Sequence, residues 1–143
     1  MQRLDPHESL GFHCNLTVKA FLGAWEGKLK GTRVSPAQVM ALAQLIASGP
    51  LSQSELVDRL SIAPATGVRL VDRMERDGWV ARKPDSKDGR IKLVAPTKRA
   101  MDFWEKISKA GRAVMDQAYQ GVTPEELETV KRVLERVRKN LKG

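Results

Sequence analysis

The segment Ser52–Thr97, "SQSELVDRLSIAPATGVRLVDRMERDGWVARKPDSKDGRIKLVAPT", carries the clearest structural signals of this 143-residue chain. It opens with Ser52 and Glu55 at the spacing of a capping box, which predicts a short helix. A longer helix is predicted from about Pro64 to a left-handed stop at Gly78. Its predicted buried stripe consists of Val68, Leu70, Val71 and Met74. A short helix, a tight turn and a longer helix in this order predict a helix-turn-helix unit.

The rest of the segment predicts a β-hairpin. Two β-compatible stretches, "WVARKP" and "IKLVAPT", flank the turn residues Asp85–Gly89. A hairpin directly after a recognition-type helix predicts a winged helix. Pro96 lies in the second stretch, and because proline cannot donate to a sheet ladder, the second strand is expected to end early.

Outward from this segment, the chain is helical on both sides. Helices are predicted over residues 9–30, from Ser35 to Gly49, from Thr97 to about Gly121, and from Thr123 to the last residues. The predicted fold class is mainly α with a small β-wing. We expect a single domain over residues 1–143, in which a winged helix-turn-helix part spans 33–99 and a helical dimerisation part spans 1–32 and 100–143.

The last predicted helix carries a narrow apolar seam. The seam residues step by three and four and are Leu127, Val130, Leu134, Val137 and Leu141. A terminal helix with such a seam packs on its own domain or on a partner, and we favour a homodimer through the N- and C-terminal helices. Two-fold symmetry would present two recognition helices to two half-sites one DNA turn apart.

The charge of the chain favours a polyanionic partner. Its formal net charge is +8, and residues 61–99 hold ten Lys/Arg against five Asp/Glu. The start "MQRLDPHESLGFHC" has no apolar core of a signal peptide, no run is long enough to span a membrane, and one cysteine gives no disulfide framework. We therefore expect a cytoplasmic protein with no membrane association. Its two histidines and the absence of nucleophile, phosphate-loop or metal motifs predict no enzyme, no cofactor and no metal.

A DNA-binding surface can be predicted residue by residue. The N-terminal part of a recognition helix reads base edges in the major groove, and Arg69 can contact a guanine in bidentate fashion. Helix starts at Ser35, Ser52 and Gln53 can bind phosphate, although capping alone explains Ser52. The candidates are Ser35, Ser52, Gln53, Ala65, Thr66, Arg69, Arg73, Lys87, Asp88, Arg90 and Lys92. Their alternative is a solvated helix surface.

Two details of this surface raise specific alternatives. Asp88 can hold the guanidinium of Arg90 in one rotamer for the minor groove, or it can simply bond its own turn backbone. Gly67 inside the recognition helix costs roughly 1 kcal/mol against alanine. It either allows close approach to DNA or marks a looser helix start.

With these motifs in order, the sequence resembles the MarR family of winged-helix regulators over about residues 9–141. The resemblance rests on "SPAQVMAL", "GPLSQSELVDRLSIAPATGVRLVDRMERDGWVAR" and "DGRIKLVAPT". The family's Asp-x-Arg wing is matched by Asp88 and Arg90, and its hydroxyl-to-arginine spacing by Thr66 and Arg69. The resemblance implies an obligate homodimer that binds a pseudo-palindromic double-stranded DNA operator, most often as a repressor, and releases it on binding a small aromatic or phenolic acid.

Two inputs to such a regulator remain open from sequence. A small-molecule effector could bind where the first, second and fifth helices meet, at Phe12, His13, Trp25, Met40 and Trp104, although each is also a plausible core residue. Cys14 is a redox candidate, but Tyr119 is the only tyrosine, so the tyrosine partners of the family's peroxide sensors are missing and a buried inert thiol is favoured. A winged-helix protein-interaction module is a further alternative.

Overall fold

A computed structural model describes residues 5–143. After a 3₁₀ turn at Pro6–Glu8, the helices are α1 Leu10–Leu29, α2 Pro36–Ser48, α3 Gln53–Leu60, α4 Pro64–Arg76, α5 Lys98–Ala118 and α6 Pro124–Lys142. The strands are β1 Leu51–Ser52, β2 Val80–Pro84 and β3 Lys92–Pro96. The prediction of a mainly helical fold with a small β-wing is confirmed. Residues 1–4 of the predicted dimerisation part lie outside the described residues.

Local side-chain caps fix where the helices begin. The hydroxyl oxygens of Ser35, Ser52 and Thr123 each accept a backbone N–H three residues on, and the Gln or Glu at that position accepts a bond from the cap's own N–H. A serine or threonine at this position stabilises a helix by about 1 kcal/mol. Gly49 and Gly78 follow α2 and α4 with φ of +79°, a conformation that favours glycine. These boundaries agree with the sequence patterns.

The wing is part of a three-stranded antiparallel sheet in the order β1-β3-β2. Contrary to expectation, β3 does not end before Pro96, which pairs with Val80. On the outer side of this pair, the Thr97 N–H donates to the Trp79 carbonyl at 3.1 Å. Hydrogen-bonded and non-hydrogen-bonded pairs alternate in such a ladder, so Pro96 occupies a non-hydrogen-bonded position. The missing N–H of Pro96 therefore removes no hydrogen bond between β3 and β2.

The core lies between the helix-turn-helix and the start of α5. Its fully buried side chains include Leu42, Leu45, Leu56, Val71, Met74 and Val94. Trp79 closes the base of the wing against Phe103, with 5.0 Å between ring centroids, and the Arg99 guanidinium covers the Trp79 ring at 4.1 Å. The wing is thus anchored at its base, which leaves its tip to project.

The recognition-type helix α4 sits in a different rotation from the one predicted. Gly67, Val71 and Met74 are buried, whereas Val68 is 42% exposed, so its assignment to the buried stripe was wrong. A Cβ at position 67 would lie only 2.1 Å from Val57 Cγ2 of α3. The glycine therefore allows α3 and α4 to approach closely and does not face a ligand. This rotation turns Val68 outward beside Arg69.

The helices α1, α5 and α6 leave apolar surface uncovered in the single chain. No residue of α6 is buried within the part of the chain that the structure describes, and Val130 and Leu141 are 55% and 82% exposed. A groove of about 650 Å³ runs between the three helices. Its apolar lining includes Ala20, Phe21, Val114, Ala118, Leu127 and Leu134. None of the helices described is long and apolar enough to cross a membrane.

Candidate nucleic-acid interface

The outward face of α4 carries the predicted base-reading residues. Ala65, Thr66, Arg69 and Arg73 are all exposed. Neither arginine has an acidic partner within salt-bridge distance among residues 5–143. Arg76, in contrast, reaches the Asp77 carboxylate at 3.4 Å. The guanidinium groups of Arg69 and Arg73 are therefore available to a polyanion.

The side chains of the three candidates at helix starts, Ser35, Ser52 and Gln53, form hydrogen bonds within the chain. Ser35 and Ser52 are held in their capping boxes, and the Ser52 hydroxyl also donates to Glu55 Oε2 at 3.0 Å. Hydrogen bonds from the backbone and hydroxyl of Ser52 lower the pKa of Glu55 below its ordinary value. Gln53 Oε1 accepts a bond from Arg82 at 2.7 Å. The Gln53 side-chain NH₂ has no hydrogen bond to a described residue and can still donate outward.

The wing tip brings Asp88 and Arg90 together as the sequence predicted. Asp88 Oδ1 accepts from Arg90 Nε at 3.0 Å, and Oδ2 accepts from Nη2 at 3.1 Å. The same carboxylate accepts the Arg90 backbone N–H at 3.1 Å, so the turn-bonding alternative also holds. These bonds, the side-chain ones first, lower the pKa of Asp88. Two of the five guanidinium N–H donors are used and three remain.

Because the Arg90 side chain is 90% exposed, those three donors face solvent. Lys87 and Lys92 lie on either side of the tip and are exposed, with no acidic partner at salt-bridge distance in the described chain. The Lys87 backbone N–H donates to Asp85 Oδ1 at 3.0 Å and so stabilises the start of the turn. The tip thus presents three cations beside two carboxylates, Asp85 and Asp88, which both accept hydrogen bonds within the turn.

Arg82 is the residue that sequence reasoning missed. It lies in β2 with only 23% of its side chain exposed. Its Nη1 donates to Glu75 Oε1 at 2.8 Å, and its Nη2 donates to Asp72 Oδ1 at 2.8 Å as well as to Gln53. Partial burial alone would lower its pKa, but the bonds to Asp72 and Glu75 outweigh this and raise it. The partners are 7 to 29 residues away, so no local motif reveals the cluster.

The predicted effector residues are spread over three helices, α1, α2 and α5. Phe12 and His13 lie at the start of α1, where the Phe12 ring contacts the His7 ring edge-on at 5.1 Å. Trp25 packs against Gly111 of α5, Trp104 packs on the core, and Met40 is exposed. None of the five lines the groove between α1, α5 and α6. Their role as an effector site stays a prediction.

The redox candidate Cys14 is a half-buried free thiol in α1. The ring of Tyr119 contacts Phe21 at a centroid distance of 6.3 Å. No observation among the described residues favours a redox switch at Cys14, which stays a hypothesis.

Comparison with known proteins agrees with this geometry. A family model described as "MarR family" matches residues 34–91, the stretch from α2 to the wing. The HTH-type transcriptional repressor MdtR of Bacillus subtilis is 30% identical over 94 residues, which cover 66% of this chain and 61% of MdtR.

Two solved structures have the same fold. A MarR mutant from E. coli in complex with operator DNA superposes with a TM-score of 0.77 at 23% identity, covering 90% of this chain and 92% of MarR. BpsR of Bordetella bronchiseptica, whose DNA binding is regulated by 6-hydroxynicotinic acid, gives 0.80 at 18% identity, covering 96% and 98%. These likenesses show the fold alone. Taken with the family match over residues 34–91 and the regulators among its relatives, they support assignment of the chain to the MarR family of transcriptional regulators, and the relatives are named as transcriptional regulators rather than as enzymes.

Proposed function

We propose that the chain binds double-stranded DNA sequence-specifically as a homodimer and represses transcription until a small aromatic acid releases it. The observation that carries the DNA-binding part is the set of exposed cations on α4 and the wing tip. Arg69 and Arg73 project from the helix, and Arg90 keeps three donors free while Asp88 fixes its rotamer. In this proposal α4 enters the major groove, and Arg90 enters the neighbouring minor groove.

Individual roles follow from the chemistry of each side chain. Arg69 contacts a guanine edge, Thr66 donates to a base or phosphate, and Ala65 lies against a thymine methyl. Val68, which the structure turns outward, adds a second apolar contact of this kind. Arg73, Lys87 and Lys92 bind phosphates, as do the backbone N–H groups at the starts of α2 and α3, beside Ser35, Ser52 and Gln53.

The homodimer is supported by the uncovered apolar surface of α1, α5 and α6. A contiguous apolar surface is costly in water, and helices with such faces are stabilised when a partner covers them. In a two-fold dimer each copy would cover the groove of the other copy with equivalent residues. Both winged helices would then face one pseudo-palindromic operator.

Repression and effector release rest on the relatives. MdtR is named a repressor, and the DNA binding of BpsR responds to 6-hydroxynicotinic acid, an aromatic acid. We propose the same class of effector for this chain, and a cytoplasmic location beside the chromosome. A thermal-shift screen with aromatic carboxylic acids, followed by a gel shift with any hit, tests this part separately from DNA binding.

A gel shift with a duplex from the region upstream of the chain's own gene tests DNA binding. We expect a complex that survives excess random duplex at moderate salt. Arg90→Ala should weaken it by about tenfold or more, because the contact with the minor groove is lost. Lys98→Ala is the matched control, because it removes an exposed cation that is paired with Asp102 at the start of α5 and does not belong to the wing tip. Binding no better than to random duplex would refute the proposed function.

A further inference from the structure

The outward face of α4 contains two carboxylates that work against DNA binding. Asp72 lies three residues after Arg69 and directly before Arg73, and Glu75 follows three residues later. Residues three apart on a helix are neighbours on its surface. Asp72 and Glu75 are 60% and 43% exposed, so uncompensated charges there would repel a phosphate backbone approaching the arginines.

Arg82, which lies in the wing strand β2, forms salt bridges with both of these carboxylates. One guanidinium nitrogen bonds Glu75 and the other bonds Asp72, each at 2.8 Å. The Arg82 backbone N–H adds a bond to the second oxygen of Glu75 at 3.2 Å. The fork geometry of a guanidinium suits two separate carboxylates, and a lysine ammonium offers only a point charge. The bonds draw the carboxylate oxygens toward β2.

We infer that Arg82 is a positioning residue for DNA binding, which masks Asp72 and Glu75 so that Arg69 and Arg73 face the phosphate backbone unopposed. This inference rests on the proposed function, since it requires that the outward face of α4 meets DNA. Arg82 itself touches no DNA in it. Its bond to Gln53 adds a second effect, because it directs the Gln53 side-chain NH₂ away from the cluster.

The test compares three variants on the duplex that the wild-type chain selects from a random library. Arg82→Met removes the mask and should weaken binding by about tenfold. Arg82→Met with Asp72→Asn and Glu75→Gln removes the carboxylate charges as well, and should restore affinity to within about threefold of wild type. Arg76→Met is the control, because within residues 5–143 the salt-bridge partner of Arg76 is Asp77 at the exposed end of α4 and not Asp72 or Glu75.

A purely structural role for Arg82 predicts a different pattern. If Arg82 only held the wing in place, neutralising Asp72 and Glu75 would not restore binding, and that result would overturn the inference. Unchanged affinity in Arg82→Met would overturn it as well. Thermal unfolding confirms that each variant is folded, and Arg82→Gln, which keeps a donor without the charge, replaces Arg82→Met if the latter is unfolded. A wild-type chain that selects no duplex would instead refute the proposed function.

Discussion

Replacing Gly67 by alanine tests whether the recognition-type helix is positioned by its contact with α3. The new Cβ would lie 2.1 Å from Val57 Cγ2 and 3.0 Å from Cγ1. Carbon atoms in contact normally stay about 3.5–4.0 Å apart, so the overlap is roughly 1.5 Å. Overpacking of this kind costs about 1–3 kcal/mol, and the overlap places the cost in the upper part of that range. Alanine has a higher helix propensity than glycine and stabilises the helix by about 1 kcal/mol, so the free energy of unfolding should fall by about 1–2 kcal/mol in total.

Urea denaturation followed by circular dichroism measures this loss. Gly27→Ala in α1 is the control, since nothing lies within 4 Å of the position that its Cβ would take, and it should stabilise the chain slightly. Adding Val57→Ala to Gly67→Ala clears the overlap, so the double variant should be more stable than the sum of the single effects predicts. If Gly67→Ala were as stabilising as Gly27→Ala, the close approach of α3 and α4 would be refuted.

Three further predictions concern the wing tip, the dimer surface and a helix cap. Arg90 lowers the folded-state pKa of Asp88, so the Asp88–Arg90 pair should persist at neutral and mildly acidic pH and be lost only as the pH falls through that lowered pKa. Carboxyl NMR should show that the pKa of Asp88 rises in Arg90→Ala. An unchanged pKa in this variant would contradict the pairing. Val130→Asp should shift the chain toward monomer in gel filtration, whereas Thr129→Asp should not. If both variants remained dimeric, the apolar seam of α6 would not be the dimer surface. Thr123→Ala should lower the free energy of unfolding by about 1 kcal/mol, and an unchanged urea midpoint would argue against the cap.

Features encoded within a few residues could be predicted from the sequence. The caps at Ser35, Ser52 and Thr123 each depend on a partner three residues away, and the Asp88–Arg90 pair on one two residues away. In each case the geometry of a helix start or a turn determines the contact. The element order, and from it the winged helix, followed from these local signals.

Features that depend on packing could not be predicted in the same way. The spacing of apolar residues in α4 fits a stripe through Val68 or one through Gly67, and only the close contact with Val57 selects the second. Pro96 stays in the sheet because of the ladder register, which the sequence does not state. The Arg82 cluster joins three elements across as many as 29 residues, and so it requires the fold to be known.

Selection of duplex DNA from a random library by the full chain, followed by affinity determination at fixed salt, is the decisive experiment for the proposed function. A dimeric regulator should enrich a two-fold symmetric site whose half-sites lie about 10 base pairs apart. It should bind this site at least about a thousandfold more tightly than random duplex. Failure to enrich any sequence, with equal affinity for all duplexes, would contradict sequence-specific recognition by α4 and the wing.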